Sequence, residues 1–379
     1  MGGVIGTPPL SESLRGCTIM IAVDRRAGEL TAALERHGAL VQQAPALTIV
    51  PHIDDEALWE RTRELIASPP EIVVVTTGVG FRGWIDAADE AGLAEELTAA
   101  LAGARFVARG PKARGAIQQA GFTADWVAES ETAAELGEYL IAQGIERTRI
   151  AVQHHGSGAD GLDELFVAHG ADVVSLTVYR WGPPPDPETV QRSVAQTADG
   201  DVDAVLFTSA PGAAQWLAEA EAAGCLPEIR RRAVGGRLVM AAVGPITAGP
   251  LVSADIPVLM AERGRLGSLV RGVVTHFGGG SAPSLATSAG VLQLRSGGAI
   301  IDGHFIALSR TAVRLLGVLF DARGDVVPRV QLLEVLPRTG GGDHAVEMAV
   351  ARVREALGVS GVIKTVIKRG YRLDVDSVA

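Results

Sequence analysis

The sequence predicts an α/β protein: two parallel-sheet domains joined by a two-stranded bridge, followed by a smaller α+β unit. Three observations carry this. Short β-branched or apolar runs alternate with helical segments from residue 17 to residue 276, the pattern of a parallel sheet covered by helices on both faces. Two extended segments, 46–50 and 176–181, stand outside that alternation, each fenced by proline. The chain then closes on one amphipathic helix and a basic-tipped hairpin.

Bulk properties bound the reading. At 379 residues the chain is longer than one core usually supports, roughly 250–300 residues, so two or three domains are expected. The net charge of −10 is unevenly divided: from Leu285 onward there are 12 Lys/Arg against 9 Asp/Glu, and before it 22 against 35. Only the tail therefore suits a polyanion. Cys17 and Cys225 are far apart without metal-ligand spacing, and read as reduced thiols. No signal-peptide pattern and no apolar run of about 18 residues is present, so no membrane partner is expected. Residues 1–13 read as a loose leader.

In chain order, 17–23 is a buried strand closed by Asp24-Arg25-Arg26, followed by helix 27–37, Gly38 and a short strand 39–43. The segment from Pro45 to Pro51 is too short to carry a helix of its own. Helix 59–67, strand 71–77 ending in Thr76-Thr77-Gly78, a further helix, and strand 105–108 ending in Arg109-Gly110-Pro111 come next. Helices 112–120 and 131–143, strand 149–153, the loop His154-His155-Gly156-Ser157-Gly158 and helix 160–169 complete a second sheet. After 176–181, helix 186–197, strand 203–207 with Thr208-Ser209-Ala210, helix 212–223, strand 238–243 with Gly244-Pro245-Ile246-Thr247, and helix 263–276 resume the first. Pairing 46–51 with 176–181 gives one discontinuous domain (14–45 and 182–276) and one inserted domain (52–175). Residues 277–284 read as a glycine- and serine-rich linker. The last domain, 285–376, opens with strands 290–295, 298–302 and 304–308, helix 309–322 capped by Ser309, and helix 328–336.

At its end, Val346, Val350, Val353 and Leu357 recur on one helical face, with Asp343 as N-cap and Gly358 as C-cap. An alternating run 362–366, a turn at Lys368-Arg369-Gly370 and a strand 371–373 follow. Such a helix can enter the major groove while the hairpin meets phosphate or the minor groove. This stretch resembles the C-terminal half of an OmpR/PhoB-type winged-helix effector domain, with its pattern V-D-x-x-I-x-x-L-R-x-x-L and then T-V-x-x-x-G-Y-R. The matching residues are Val346, Glu347, Val350, Val353, Arg354 and Leu357, then Thr365, Val366, Gly370, Tyr371 and Arg372. The resemblance implies double-stranded DNA as partner. His344, Arg352 and Arg354 would act from the helix, and Lys364, Lys368, Arg369 and Arg372 from the wing. Ile367 replaces the family's wing arginine, which shifts the wing contacts by a residue. The modest positive charge of the tail points to a homodimer on paired half-sites.

Residues 16–276 resemble uroporphyrinogen-III synthase, in which two flavodoxin-like domains are joined by a two-stranded ladder. The carriers are Thr76-Thr77-Gly78, Gly110-Pro111-Lys112, Val178-Tyr179-Arg180, Thr208-Ser209-Ala210 and Gly244-Pro245-Ile246-Thr247. That family closes hydroxymethylbilane while inverting its last ring, with loss of water and with no cofactor or metal. Its polycarboxylate substrate calls for helix N-termini, hydroxyls and a few cations at the carboxyl ends of parallel strands. The resemblance implies ligand contacts from Arg25, Thr76, Thr77, Gly78, Lys112, His154, Gly156, Ser157, Thr208, Ser209, Ala210 and Thr247. Tyr179 is the candidate catalytic residue, hydrogen-bonding the departing hydroxyl, if the module is active. Two departures stand out. Gly110-Pro111-Lys112-Ala113 lacks the usual threonine, and Thr77-Gly78-Val79-Gly80 replaces a Ser-Ala-Asn-Ala-like turn.

Two other inputs do not fit. A phosphoacceptor domain needs an acidic doublet at the first strand end, and Asp24 is followed by Arg25-Arg26. A dinucleotide is not expected either, although Gly78-Val79-Gly80-Phe81-Arg82-Gly83 after strand 71–77 has the Gly-x-Gly-x-x-Gly spacing. The expected function is a cytosolic DNA-binding regulator whose synthase-like module senses a small anionic, tetrapyrrole-like ligand or a partner regulator. It resembles regulators of nitrate and nitrite assimilation. An active synthase carrying a DNA-binding domain is the alternative.

Overall fold

Four-residue apolar strands flanked by amphipathic helices recur through most of the chain, and the computed structural model assembles them into two compact units. One unit runs to Leu47 and resumes at Pro183; the other is Thr48–Gly182. The structure describes residues 10–23, 26–51, 56–154, 156, 160–336, 342–359 and 361–375.

The first unit begins with β1 (Thr18–Ile21), α1 (Ala27–Glu35) and β2 (Leu40–Gln43). The second contains β3 (Thr48–Pro51), α2 (Glu56–Ala67), β4 (Ile72–Val75), α3 (Gly78–Glu90), α4 (Ala94–Leu101), β5 (Arg105–Ala108) and α5 (Pro111–Gln119). It goes on through β6 (Ala124–Val127), α6 (Ala133–Gln143), β7 (Arg149–His154), α7 (Leu162–Ala168), β8 (Asp172–Thr177) and β9 (Tyr179–Gly182). The first unit resumes with α8 (Pro187–Asp199), β10 (Ala204–Phe207), α9 (Ala210–Ala222), α10 (Leu226–Val234), β11 (Val239–Ala242), α11 (Pro245–Ser253), β12 (Val258–Met260) and α12 (Leu266–Gly278). Its last part is β13 (Ser284–Thr287), β14 (Gly290–Arg295), β15 (Gly298–Ile301), β16 (His304–Ala307), α13 (Arg310–Asp321), α14 (Arg329–Glu334), α15 (Gly342–Leu357), β17 (Ile363–Val366) and β18 (Gly370–Leu373).

Two all-parallel sheets result. Their orders are β12-β11-β10-β1-β2 in the first unit and β6-β5-β4-β7-β8 in the second. Helices cover both faces, so β1, β4, β10 and β11 are buried along their whole length and read as unbroken apolar runs. In the first sheet, Met20, Val205 and Met240 face the core that holds Trp216, while Ile19, Ile21 and Leu206 face the opposite core with Leu30 and Leu34.

The bridge differs from the predicted 46–51 with 176–181. β3 pairs antiparallel with β9, from Thr48 opposite Gly182 to Pro51 opposite Tyr179. Leu176 and Thr177 belong to β8, in register with Gln153 and His154. The reason is burial: Val174 and Leu176 alternate into the core of the second unit, and the crossing strand begins only after that alternation ends.

The C-terminal part carries a four-stranded antiparallel sheet, β13-β14-β15-β16, three helices and the β17–β18 hairpin, the make-up of a winged helix. Its core gathers Leu315, Leu316 and Leu319 of α13, Leu332 of α14, and Val346, Val350, Val353 and Leu357 of α15. The segment read as a linker is partly structured. α12 extends to Gly278 and β13 starts at Ser284, with Leu285 and Thr287 turned inward. At the other end, the leader reading falls partly on residues outside the described set. Within it, the Leu10 N–H donates to the Arg36 carbonyl at 2.7 Å and Ser11 Oγ lies 2.7 Å from His37 Nδ1.

Candidate ligand site and nucleic-acid interface

In open parallel sheets, ligands gather beyond the carboxyl ends of strands, where neighbouring strands send their helices to opposite faces. In the second unit that point lies between β4 and β7. The turns after them are Thr76-Thr77-Gly78 and the loop from His154, both in the expected ligand set. Thr76 is buried, and its hydroxyl donates to the Gln153 carbonyl at 2.8 Å, so it serves as a tie between strands. Thr77 caps α3, accepting from the Gly80 N–H at 3.1 Å, while its own N–H donates to Gln153 Oε1 at 3.3 Å. The Thr77 O–H remains available as a donor at a helix N-terminus.

The glycines of this turn are set by close approach. A Cβ on Gly78 would stand 2.3 Å from the Lys112 carbonyl oxygen, and one on Gly80 would stand 2.0 Å from Gln153 Nε2. The first turns of α3 and α5 therefore touch. Lys112 is exposed in the first turn of α5.

His154 is placed differently from a ligand contact. It is buried, with Nδ1 at 3.2 Å from Asp160 Oδ2 and Nε2 at 2.8 Å from Asp163 Oδ1. Burial alone would lower its pKa, but the two carboxylates outweigh that and raise it to about 9. The imidazolium is clamped by its own chain. The shallow cavity beside it is also lined by Asp160, Asp163 and Glu164, a surface that repels a polycarboxylate.

Tyr179 opens β9, buried, with its ring edge-on to Trp181 at 5.8 Å. Gly156 lies against that ring: a Cβ there would come within 2.4 Å of Tyr179 Cε2. This brings two expected residues together. Ser157 and Arg25 lie outside the described residues.

Arg109, not among the expected ligand contacts, belongs with these groups. It follows β5, the neighbour of β4, and its backbone N–H donates to the Val75 carbonyl at 3.0 Å. Burial lowers the guanidinium's pKa, opposed by the carboxylates of Asp160 and Glu131. Among the described residues its side chain makes no hydrogen bond or ion pair. The signal was in the sequence, an arginine ending a buried strand just before Gly110-Pro111.

In the first unit, Ser209 caps α9, accepting from the Gly212 N–H at 3.2 Å, with half-buried Thr208 before it and Ala210 opening the helix. Thr247 is buried in the first turn of α11, behind an extended Gly244 N-cap.

The expected DNA-reading residues divide into two groups. His344 and Arg352 are exposed on α15, and Arg352 has no ion-pair partner among the described residues. Lys368 and Arg369 are exposed at the wing tip with Ile367, in a turn closed by the Arg369 N–H on the Val366 carbonyl at 3.0 Å. Arg354, by contrast, turns inward. Its Nε and Nη2 donate to the Ile363 carbonyl at 3.1 and 2.8 Å, Nη2 also donates to Thr365 Oγ1 at 2.9 Å, and the guanidinium lies over Tyr371. It braces the helix against the wing. Lys364 and Arg372 stand opposite each other on the hairpin and both pair with Asp374. Glu347, on the outer face of α15, pairs with Arg329 at 3.4 Å.

Two bridged parallel-sheet α/β layers followed by a winged helix define a regulator-type architecture: a synthase-like module carrying a DNA-binding output domain. The chain belongs to the family described as uroporphyrinogen-III synthase HemD, whose model matches residues 28–271. The model for "Transcriptional regulatory protein, C terminal" matches residues 303–373. Among relatives, the Bacillus subtilis (strain 168) "Uncharacterized protein YjjA" is 28% identical over 269 residues, covering 71% of this chain and 98% of the relative. A "Putative uroporphyrinogen-III synthase" of Methanothermobacter thermautotrophicus is 28% identical over 172 residues, covering 45% of this chain and 65% of its own length. Among solved structures, a mutant uroporphyrinogen III synthase of the extremely thermophilic bacterium Thermus thermophilus is similar with a TM-score of 0.56 at 26% identity, covering 68% of this chain and 97% of that one. Among the described residues no helix is long and apolar enough to cross a membrane.

Proposed function

We propose that this chain is a cytoplasmic transcriptional regulator whose synthase-family module senses a small polycarboxylate of tetrapyrrole type. The observation that carries the reading is the fusion itself: a winged helix with exposed cations at Arg352, Lys368 and Arg369 follows a synthase-like module. In the second unit, the Thr77 O–H, the first turns of α3 and α5, and Arg109, unpaired among the described residues, supply donors suited to carboxylates. Dimerisation on paired half-sites, cooperation with a partner regulator, and a place in nitrate or nitrite assimilation extend the same reading.

A second reading, a working synthase with a DNA-binding appendage, is favoured by one observation: Tyr179 is present on the bridge, next to Gly156. Incubating the purified full chain with hydroxymethylbilane and separating the uroporphyrin isomers decides between them. Only the spontaneous type I isomer is expected; type III above background would establish the enzyme. Failure of the full chain to shift any duplex in a salt-dependent manner would remove the regulator reading.

A further inference from the structure

The structure assigns an interaction surface on the synthase-like part of the first unit: the amino-terminal edge of its sheet is a permanent docking face for the chain's own winged helix. The anchor is Asp203, buried just before β10. Its Oδ2 accepts from the Thr18 N–H at 2.8 Å, and its Oδ1 accepts from the Ser296 N–H at 2.8 Å. The Ser296 hydroxyl also donates to Asp203 and stands 2.9 Å from Thr18 Oγ1. Thr18 opens β1, and Ser296 lies in the turn between β14 and β15 of the winged helix. One carboxylate thus ties a strand of the synthase-like sheet to a turn of the DNA-binding domain.

The residues on either side of Ser296 repeat the tie. Arg295 is 5% exposed, and its guanidinium donates to the Arg15 carbonyl at 2.7 Å and to the Phe277 carbonyl at 3.0 Å. The Gly297 N–H donates to the Gly16 carbonyl at 2.9 Å. Gly16 has φ 80°, and a Cβ there would meet the Phe305 ring at 2.1 Å, so the two surfaces fit only with glycine at this point.

α13 adds a second line of contact. Arg310, Arg314, Gly317 and Asp321 fall at i, i+4, i+7 and i+11, a stripe distinct from the apolar one that faces α15. Arg314 pairs with Asp199 at 2.9 Å and Asp201 at 3.1 Å, Arg310 pairs with Asp201, and Asp321 pairs with Arg237 at 3.0 Å. The buried Asp203 and Arg295, each hydrogen-bonded across the joint, favour one arrangement over others, because a shifted register would leave the carboxylate or guanidinium unpaired.

Domain and winged helix therefore move as one body, and the position of α15 is set through α13 by the synthase-like sheet. The same strand β10 has Asp203 at its amino end and Thr208-Ser209 at its carboxyl end, about 17 Å away at 3.3 Å per residue. A signal from the ligand side cannot act by releasing a tethered tail. It must act on this body as a whole. That last consequence rests on the regulator reading, whereas the docking itself does not.

Amide hydrogen exchange on the full chain without DNA tests the joint. In the unmodified protein, the amides of Thr18, Ser296 and Gly297 should exchange as slowly as those inside β14 and β15. In Asp203→Asn one of the two backbone donors must face an NH2 group, and the three amides should exchange at least tenfold faster. If that variant unfolds, Ser296→Ala decides, since it removes only the hydroxyl at the joint; faster exchange at residues 16–18 and 296–297 supports docking. Exchange of these amides in the unmodified chain at the rate of exposed turns, or no acceleration in Ser296→Ala, overturns it.

Discussion

Replacing Arg354 by alanine should destabilise the winged helix without changing how many phosphates it neutralises. The guanidinium bridges α15 to the hairpin through the Ile363 carbonyl, Thr365 Oγ1 and the face of Tyr371. A hydrogen bond from a charged donor contributes about 1.5–3 kcal/mol, and a partly exposed cation–π contact about 0.5–1 kcal/mol. Arg354 is only half-buried, so the low end applies, and about 2–3 kcal/mol is expected for the whole cluster. In a body of this size that lowers the melting midpoint by roughly 5–10 °C. Arg352→Ala is the control, because its exposed side chain has no internal partner among the described residues. It should leave the midpoint unchanged and reduce the slope of log affinity against log salt by about 0.9. Thermal melts and duplex titrations across a salt series measure both. An Arg354→Ala chain with an unshifted midpoint and a reduced salt slope would refute the bracing role.

Three further outcomes follow from the same structure. His154→Gln should remove a pH dependence of second-unit stability. The folded-state pKa of about 9 lies above the ordinary 6.5, so the clamp with Asp160 and Asp163 is fully present below the latter and is lost as pH rises through the former; denaturant midpoints between pH 6 and 10 would show it. Gly370→Ala should cost more than about 2 kcal/mol and blunt DNA binding, since φ is 144° and the new Cβ would meet the Val327 carbonyl oxygen at 1.9 Å. Arg109→Gln should weaken uroporphyrin III binding by roughly tenfold at unchanged melting temperature, because the side chain has no internal bond to lose among the described residues; unchanged affinity in fluorescence titration would exclude Arg109 from the site.

Much of the architecture was legible because the physics behind it is local. β-branched runs such as Ile72–Val75 are strands buried on both faces, and the stripe of Val346, Val350, Val353 and Leu357 is the buried face of α15. What escaped were strands with no such signature. β6 is four residues with Asp125 in the middle, and Asp125 is there to accept the Phe106 N–H at 2.7 Å. β13 hides in a glycine- and serine-rich stretch and is a strand only because β14 pairs with it. Side-chain roles were less legible than elements, since a cation's partner is a matter of tertiary geometry. Arg352 and Arg354 look alike in the sequence, and one faces solvent while the other is bonded to the wing.

The same distinction changes the weight of the departures from the synthase pattern. Thr77-Gly78-Val79-Gly80 stands in the sequence where the synthase pattern has a Ser-Ala-Asn-Ala-like turn. The structure supplies a packing cause at Gly78, where a Cβ would meet the backbone carbonyl of Lys112; at Gly80 it would meet the Gln153 side chain, which would have to shift. A substitution that packing demands says nothing about lost chemistry. The turn keeps its capped helix N-terminus, and Thr77 keeps an O–H to donate, so the proposed anion-binding role is compatible with the change. The case for a regulator therefore stands on the winged helix and its exposed cations. The case against catalysis stands on the isomer assay alone.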